Sequence, residues 1–145
     1  MKLNIKKLNE NAILPKYGTP YAAGADLSLL PGESVTIAPH QTVLCHTGLA
    51  MEIPEGYMGL IFARSGLASK RGLAPANKVG VIDSDYRGEC MVALHNHTDE
   101  EKTVEGGERI AQLVIVPYLA CEFCEVESLD ETERGTGGFG STGTK

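Results

Sequence analysis

No stretch of this 145-residue chain is apolar for long enough to cross a bilayer as a helix. The longest apolar runs, residues 57–63 and 113–117, fall far short of the roughly 20 residues a span requires. The first ten residues carry lysines, but no apolar run of signal-peptide length follows them. A cytoplasmic chain is expected. Positive charge is also short: 13 Lys and Arg stand against 19 Asp and Glu, a formal net charge of −6. That balance excludes bulk binding to nucleic acid or to an anionic membrane. A polyanionic ligand would need a local basic site or a metal ion to screen it.

Cysteine is sparse. Of Cys45, Cys90, Cys121 and Cys124, only the last two are spaced as CxxC, and no second pair stands at a similar spacing. Their segment reads as a strand, in which residues three apart point to opposite faces, so neither a metal nor a redox role is expected. His95 and His97 would share one strand face, with no third ligand near them in sequence. A plain strand surface is expected there. There is no internal repeat, and no linker before about residue 128.

What is present is ordinary for one globular domain with its own core: 42% apolar and 22% charged residues. Most of it reads as short strands punctuated by Gly, Pro and Asn. Residues 41–53 alternate through Val43, Cys45, Thr47, Leu49, Met51 and Ile53. Residues 88–95 and 109–116 are β-rich, and 110–116 are apolar on both faces, as in a strand covered on both sides. Turn signals recur at 31–32, 54–56 and 106–107. This spacing predicts an all-β barrel or sandwich. One helix is predicted over 65–72, with Ser65 as N-cap and Gly72 just past the end. Arg64, Ser65 and Gly66 at its start either form a compact phosphate site or merely begin a capped surface helix. The domain is expected over 1–128 and a polar, then Gly-rich, tail over 129–145.

The densest polar segment is GVIDSDYRGE at 80–89, between apolar 79–82 and 90–94. It reads as a β-hairpin turned around 83–88. One carboxylate there can activate a water while Tyr86 forms a ligand wall, although Asp and Tyr are also common turn residues. Asp26 precedes an apolar strand. Gln112 is polar on an otherwise apolar one and needs partners if buried. The last twelve residues, RGTGGFGSTGTK, include five glycines, one arginine and one aromatic ring. They cannot pack a core. They are either a solvated end or a segment that wraps an anion with backbone N–H groups.

Taken in order, AGADL at 23–27, RSGLASKRGL at 64–73, GVIDSDYRGE at 80–89, GERIAQL at 107–113 and RGTGGFGSTG at 134–143 resemble the five motifs of the homotrimeric dUTP diphosphatases. The resemblance spans nearly the whole chain. It implies a jelly-roll-like β-barrel of the dUTPase β-clip type, with one short helix and a flexible C-terminal lid. It also implies hydrolysis of dUTP to dUMP and pyrophosphate with Mg²⁺, and sites shared by three subunits. By the same resemblance Asp83 is the catalytic aspartate, and Arg64, Ser65 and Gly66 hold phosphate. Asn77, Val81, Ile82 and Met91 surround the uracil and sugar, and Tyr86 packs on the sugar where a ribose 2′-OH would need room. Asp26 and Gln112 act through metal-bound water, Gln112 also near phosphate. Arg134 and Ser141 reach the terminal phosphates, Phe139 stacks on uracil, and Gly140 and its fellow glycines permit the wrap.

Departures from the family pattern are small: Ala25 and Gly106 stand where many members carry a larger residue or proline. Arg87 is expected as a surface or inter-subunit ion-pair residue. Cys90 is unexplained, and the carboxyl roles of Asp85 and Glu89 stay open. The competing readings are a dCTP deaminase-like or bifunctional enzyme of the same superfamily, and a dUTP-binding regulator without turnover.

Overall fold

The computed structural model describes residues 1–138. Its strands are β1 Asn4–Lys7, β2 Lys16–Tyr17, β3 Ala25–Ser28, β4 Ser34–Ile37, β5 Thr42–Cys45, β6 Leu49–Glu52, β7 Tyr57–Phe62, β8 Leu73–Pro75, β9 Gly80–Ile82, β10 Val92–Asn96, β11 Lys102–Glu105 and β12 Arg109–Pro117, with helix α1 Ser65–Arg71 between β7 and β8. All pairings are antiparallel. The strands divide into β1-β6, β5-β10-β8, β11-β4 and the larger β2-β3-β12-β7-β9. These short sheets wrap one core in the jelly-roll-like manner, without closing into a single continuous barrel among the described residues.

The core draws on nearly every strand. Leu27, Leu29, Ile37, Leu49, Leu73, Leu94, Val104 and Ile110 are all fully buried. Each contributes about 1.5–3 kcal/mol relative to an exposed side chain. The predicted inward set from Cys45 to Ile53 is buried, but not as one strand, and Ala50 is buried with it. The segment breaks into β5 and β6 at Gly48, where φ is +70°. A Cβ there would lie 2.9 Å from the Leu30 side chain and 3.0 Å from that of Ala12, so the position demands glycine. The break moves the chain from the sheet of β10 to that of β1.

Asn96 is the fully buried polar knot of the fold. Its Nδ2 donates to the carbonyls of Ile37 (3.0 Å), Ala38 (3.3 Å) and Glu100 (2.7 Å), and its Oδ1 accepts from the Thr98 N–H (3.0 Å) and hydroxyl (2.8 Å). Asn96→Leu would strand these groups without solvent. We expect a loss of roughly 2–4 kcal/mol, read from urea unfolding midpoints.

Helix α1 ends as the sequence predicts: Gly72 takes φ +66° and donates to the Ala68 carbonyl at 3.1 Å. Its start differs. The N-cap is Arg64, with extended dihedrals and no capping side chain, and Ser65 is the first helical residue. The Arg64 side chain is drawn instead to a carboxylate on β3, described below.

β12 sits in the middle of the five-stranded sheet, between β3 and β7. Only its first half is covered on both faces: Ile110, Ala111 and Leu113 are buried, whereas Val114, Ile115 and Val116 are half-buried. By register Gln112 lies opposite Phe62, Val114 opposite Leu60, and Val116 opposite Met58; Leu60 in turn faces Val81. Directly opposed residues share a face, so the outer side of this sheet is an apolar stripe. Val81 is 60% exposed on it.

Beyond Pro117 the expected strand through Cys121 and Cys124 is absent. Residues 118–126 form none, and Leu119, Phe123 and Val126 are exposed and unpaired among the described residues. Apolar spacing suggested a strand, but a strand needs an edge to pair with, and none of the described edges takes this one. Among the described residues no helix is long and apolar enough to cross a membrane.

Candidate active site

Residues 80–89 do not make the paired hairpin expected from their flanks. β9 pairs with β7, and β10 inserts between β5 and β8. The two arms therefore belong to different sheets. The gap between the arms is a cleft of about 310 Å³. Asn77, Val81, Ile82, Asp83, Tyr86 and Met91, all singled out from sequence, line it together. Asp83 stands exposed at its mouth and also borders a shallower cleft with Glu55, Asp85, Arg87 and Tyr118. Asn77 is set by a tight turn in which Lys78 takes φ +66° and the Val79 N–H reaches the Asn77 carbonyl at 2.7 Å.

The returning arm is fastened to the β5–β6 connection. Glu89 Oε1 accepts from the Gly48 N–H at 2.8 Å, and Oε2 meets His46 Nδ1 at 2.9 Å. Thr47 donates its hydroxyl to the Cys90 carbonyl at 2.6 Å, and the Cys90 N–H donates to Leu49 at 2.7 Å. Partial burial pushes the Glu89 carboxyl up, but the hydrogen bonds from His46 and Gly48 outweigh it and hold the group below its ordinary value. The Glu89 hydrogen bond in turn holds His46 above its own. Glu89 was left open by sequence, and His46, 43 residues away, carried no signal at all. Cys90 is now accounted for. Its thiol is in the core, pushed up to about 12 by burial and then by the Glu89 charge, so it is a packing residue and inert.

A second group forms around β3 and β12. Asp26 accepts from Arg64 Nε at 2.7 Å through one oxygen and from Arg109 Nη1 at 3.0 Å through the other. Gln112 lies directly opposite Asp26 across the strand pair and donates to the Ala63 carbonyl at 2.9 Å. Its Oε1 sits where a Cβ on Gly24 would be, 2.4 Å away, so AGADL needs its glycine to admit the glutamine. Ser65 and Gly66 are exposed beside this group, with open space around Gly66. Arg109 was not among the sequence candidates; the fold alone brings it to Asp26.

The two groups do not meet within one chain. Ile82, which leads to Asp83, pairs with Gly59, whereas Gln112 pairs with Phe62, next to Ala63 and Arg64. Gly59 and Phe62 are three strand residues apart, about 10 Å, and Asp83 and Arg64 continue beyond opposite ends. Arg134 bonds only within its own turn among the described residues, its Nε to the Gly137 carbonyl at 2.9 Å. Phe139, Gly140 and Ser141 lie outside the described residues.

Residues 10–143 match the family model described as dUTPase. This chain belongs to the dUTPase family of enzymes. Similar curated relatives within it are named deoxyuridine 5′-triphosphate nucleotidohydrolase. The one from Hydrogenobaculum sp. (strain Y04AAS1) is 52% identical over the full length of both chains. That of Nautilia profundicola is 54% identical over 99% of each. Among solved structures, a Staphylococcus bacteriophage 80alpha dUTPase variant with dUpNHpp superposes with a TM-score of 0.90, at 32% identity over 99% of each chain. A phage phi11 dUTPase variant, described as revealing the coordination of a structural Mg(II) ion, superposes at 0.80 with 28% identity, over 88% of this chain and 98% of the other.

Proposed function

We propose that this dUTPase-family chain hydrolyses dUTP to dUMP and pyrophosphate. The observation that carries the reading is the cleft between β9 and β10, with Asp83 at its mouth. In the proposed step Asp83 takes a proton from water. The water oxygen bonds to the α-phosphorus, the bond to the bridging oxygen of the β-phosphate breaks, and pyrophosphate leaves with the electron pair. General-base positioning supplies roughly 10²–10⁴-fold; alignment and charge stabilisation supply the rest. Asn77, Val81, Ile82 and Met91 would enclose the base and sugar, with Tyr86 against the sugar. Backbone groups along β9 suit a base edge, and a site built on such bonds rejects a mismatched edge by about 10⁴-fold or more. Arg64, Ser65 and Gly66 would take the phosphates.

The separation of Asp83 from Arg64 supports shared sites in a homotrimer. An apolar stripe runs between them on the outer face of the large sheet. A second copy packed there could bring its own Arg64, Asp26 and Gln112 toward Asp83. Arg134, Phe139, Gly140 and Ser141 would close over the nucleotide from a tail.

The residues present fit Mg²⁺ carried on substrate phosphates. Among the described residues no three His, Cys, Asp or Glu side chains form a cage of their own. Mg²⁺ keeps several waters and needs few protein ligands when phosphates are present. Both Asp26 oxygens already hold guanidinium groups, which suits contact through water, and Gln112 stands beside it. When bound, the ion neutralises triphosphate charge. A cytoplasmic location accords with the free thiols of all four cysteines.

Pyrophosphate release from dUTP, dTTP, dCTP and UTP, with and without Mg²⁺, tests the reading. We expect turnover of dUTP alone, dependent on Mg²⁺. Ammonia release from dCTP would assign the deaminase reaction instead, and binding of dUTP without turnover would assign a regulator.

A further inference from the structure

Tyr86 lies in the strandless loop between β9 and β10 and is 45% exposed. Nothing in the loop's own secondary structure holds its ring. Two contacts do. Its hydroxyl donates to the Glu89 carbonyl at 3.0 Å. The ring also lies directly over Gly88, where an added Cβ would come within 2.4 Å of the hydroxyl oxygen, 2.5 Å of Cζ and 2.9 Å of Cε2.

The carbonyl that anchors the ring is itself anchored. The Glu89 side chain reaches Gly48 N–H and His46, and its backbone forms an isolated antiparallel bridge with Ala50. Gly48 takes a left-handed φ, and Leu30 and Ala12 crowd the place where a side chain would stand. A series of hydrogen bonds therefore runs from Gly48 through Glu89 to the phenol of Tyr86, and the Glu89 backbone is bridged to the buried Ala50.

We infer that Glu89 is a positioning residue and that Glu89 with Gly88 forms the seat of Tyr86, so that discrimination between deoxyribose and ribose depends on residues other than the sugar wall itself. The inference rests on the proposed function, in which Tyr86 is the sugar wall. An unseated ring could swing about its two side-chain torsions, and the space denied to a 2′-hydroxyl would open. Glu89→Ala removes the side-chain ties to Gly48 and His46 that hold the carbonyl, leaving its backbone bridge to Ala50. Gly88→Ala pushes the ring away while leaving Glu89 in place. Glu89→Gln keeps an acceptor for the Gly48 N–H.

The test measures kcat/KM for dUTP and for UTP in these three variants and the wild type. The ratio of the two values is independent of the fraction of folded enzyme, so a merely structural loss leaves it unchanged. We expect the ratio to fall by about tenfold or more in Glu89→Ala and Gly88→Ala, on the scale of a lost steric fit. It should stay close to wild type in Glu89→Gln.

A second measurement needs no nucleotide. In protein labelled with 3-fluorotyrosine, the Tyr86 resonance, identified by its loss in Tyr86→Phe, should stand apart from that of free tyrosine in the wild type. It should move toward the free position in Glu89→Ala and Gly88→Ala. An unmoved resonance in both variants overturns the seat. So does an unchanged substrate ratio in an enzyme that prefers dUTP. A moved resonance in a protein that does not hydrolyse dUTP supports the seat and overturns the proposed function instead.

Discussion

Chains carrying Asp83→Asn should bind dUTP nearly as well as the wild type and release pyrophosphate at least about 100-fold more slowly. The amide keeps the size of the carboxylate and can still accept a hydrogen bond from water. It cannot take the proton. Asp83 is exposed at the cleft mouth and contributes nothing to the core, so the variant should fold normally. Titration calorimetry with dUTP and a pyrophosphate-release assay separate the two effects. Loss of binding in step with turnover would make Asp83 a residue that shapes the cleft rather than a base.

Deleting residues 134–145 should leave a folded protein with greatly reduced activity. Among the described residues the last buried core residue is Leu113, the last strand ends at Pro117, and residues 118–136 are exposed. The described part of the deleted segment covers none of the core, and the thermal unfolding midpoint should hold. Activity should fall because Arg134, Phe139 and Ser141 supply charge, a stacking face and a hydroxyl donor to the proposed complex. A glycine-rich segment loses much backbone entropy on ordering, so contact with the nucleotide must offset that cost. A truncated chain that fails to fold would place the tail within the structural core. One that keeps full activity would make it a solvated end.

Much of this was legible in the chain, and what was not shares a physical cause. Gly72 announced its left-handed turn because only local backbone geometry was at stake. The alternation over 41–53 announced which side chains are buried, since Cys45, Thr47, Leu49, Met51 and Ile53 all point inward. It said nothing of the break at Gly48, which depends on Leu30 and Ala12 packing there. Flanking apolar residues made 80–89 look like a hairpin, yet pairing is a competition among all edges, and β7 and β5 won. Arg64 was rightly set beside the helix start, but it and not Ser65 is the N-cap, and its ion pair with Asp26, 38 residues away, is made only by the fold. The role of Glu89 stayed open and Arg109 escaped notice for the same reason: their partners are distant in sequence and only the fold joins them.

The splayed arms of the cleft carry a consequence for how such a site can change. Its walls are β9 and β10, each a member of a different sheet and each tied into the core by its neighbours. The width of the slot and the base edge along β9 are thus inherited from the framework, while Asp83 and the sugar wall Tyr86 ride on the few loop residues between. Frame and chemistry are separable. Replacements among residues 83–87 can retune what is bound or whether it reacts without altering the aperture, and the aperture can shift only through the packing beneath it.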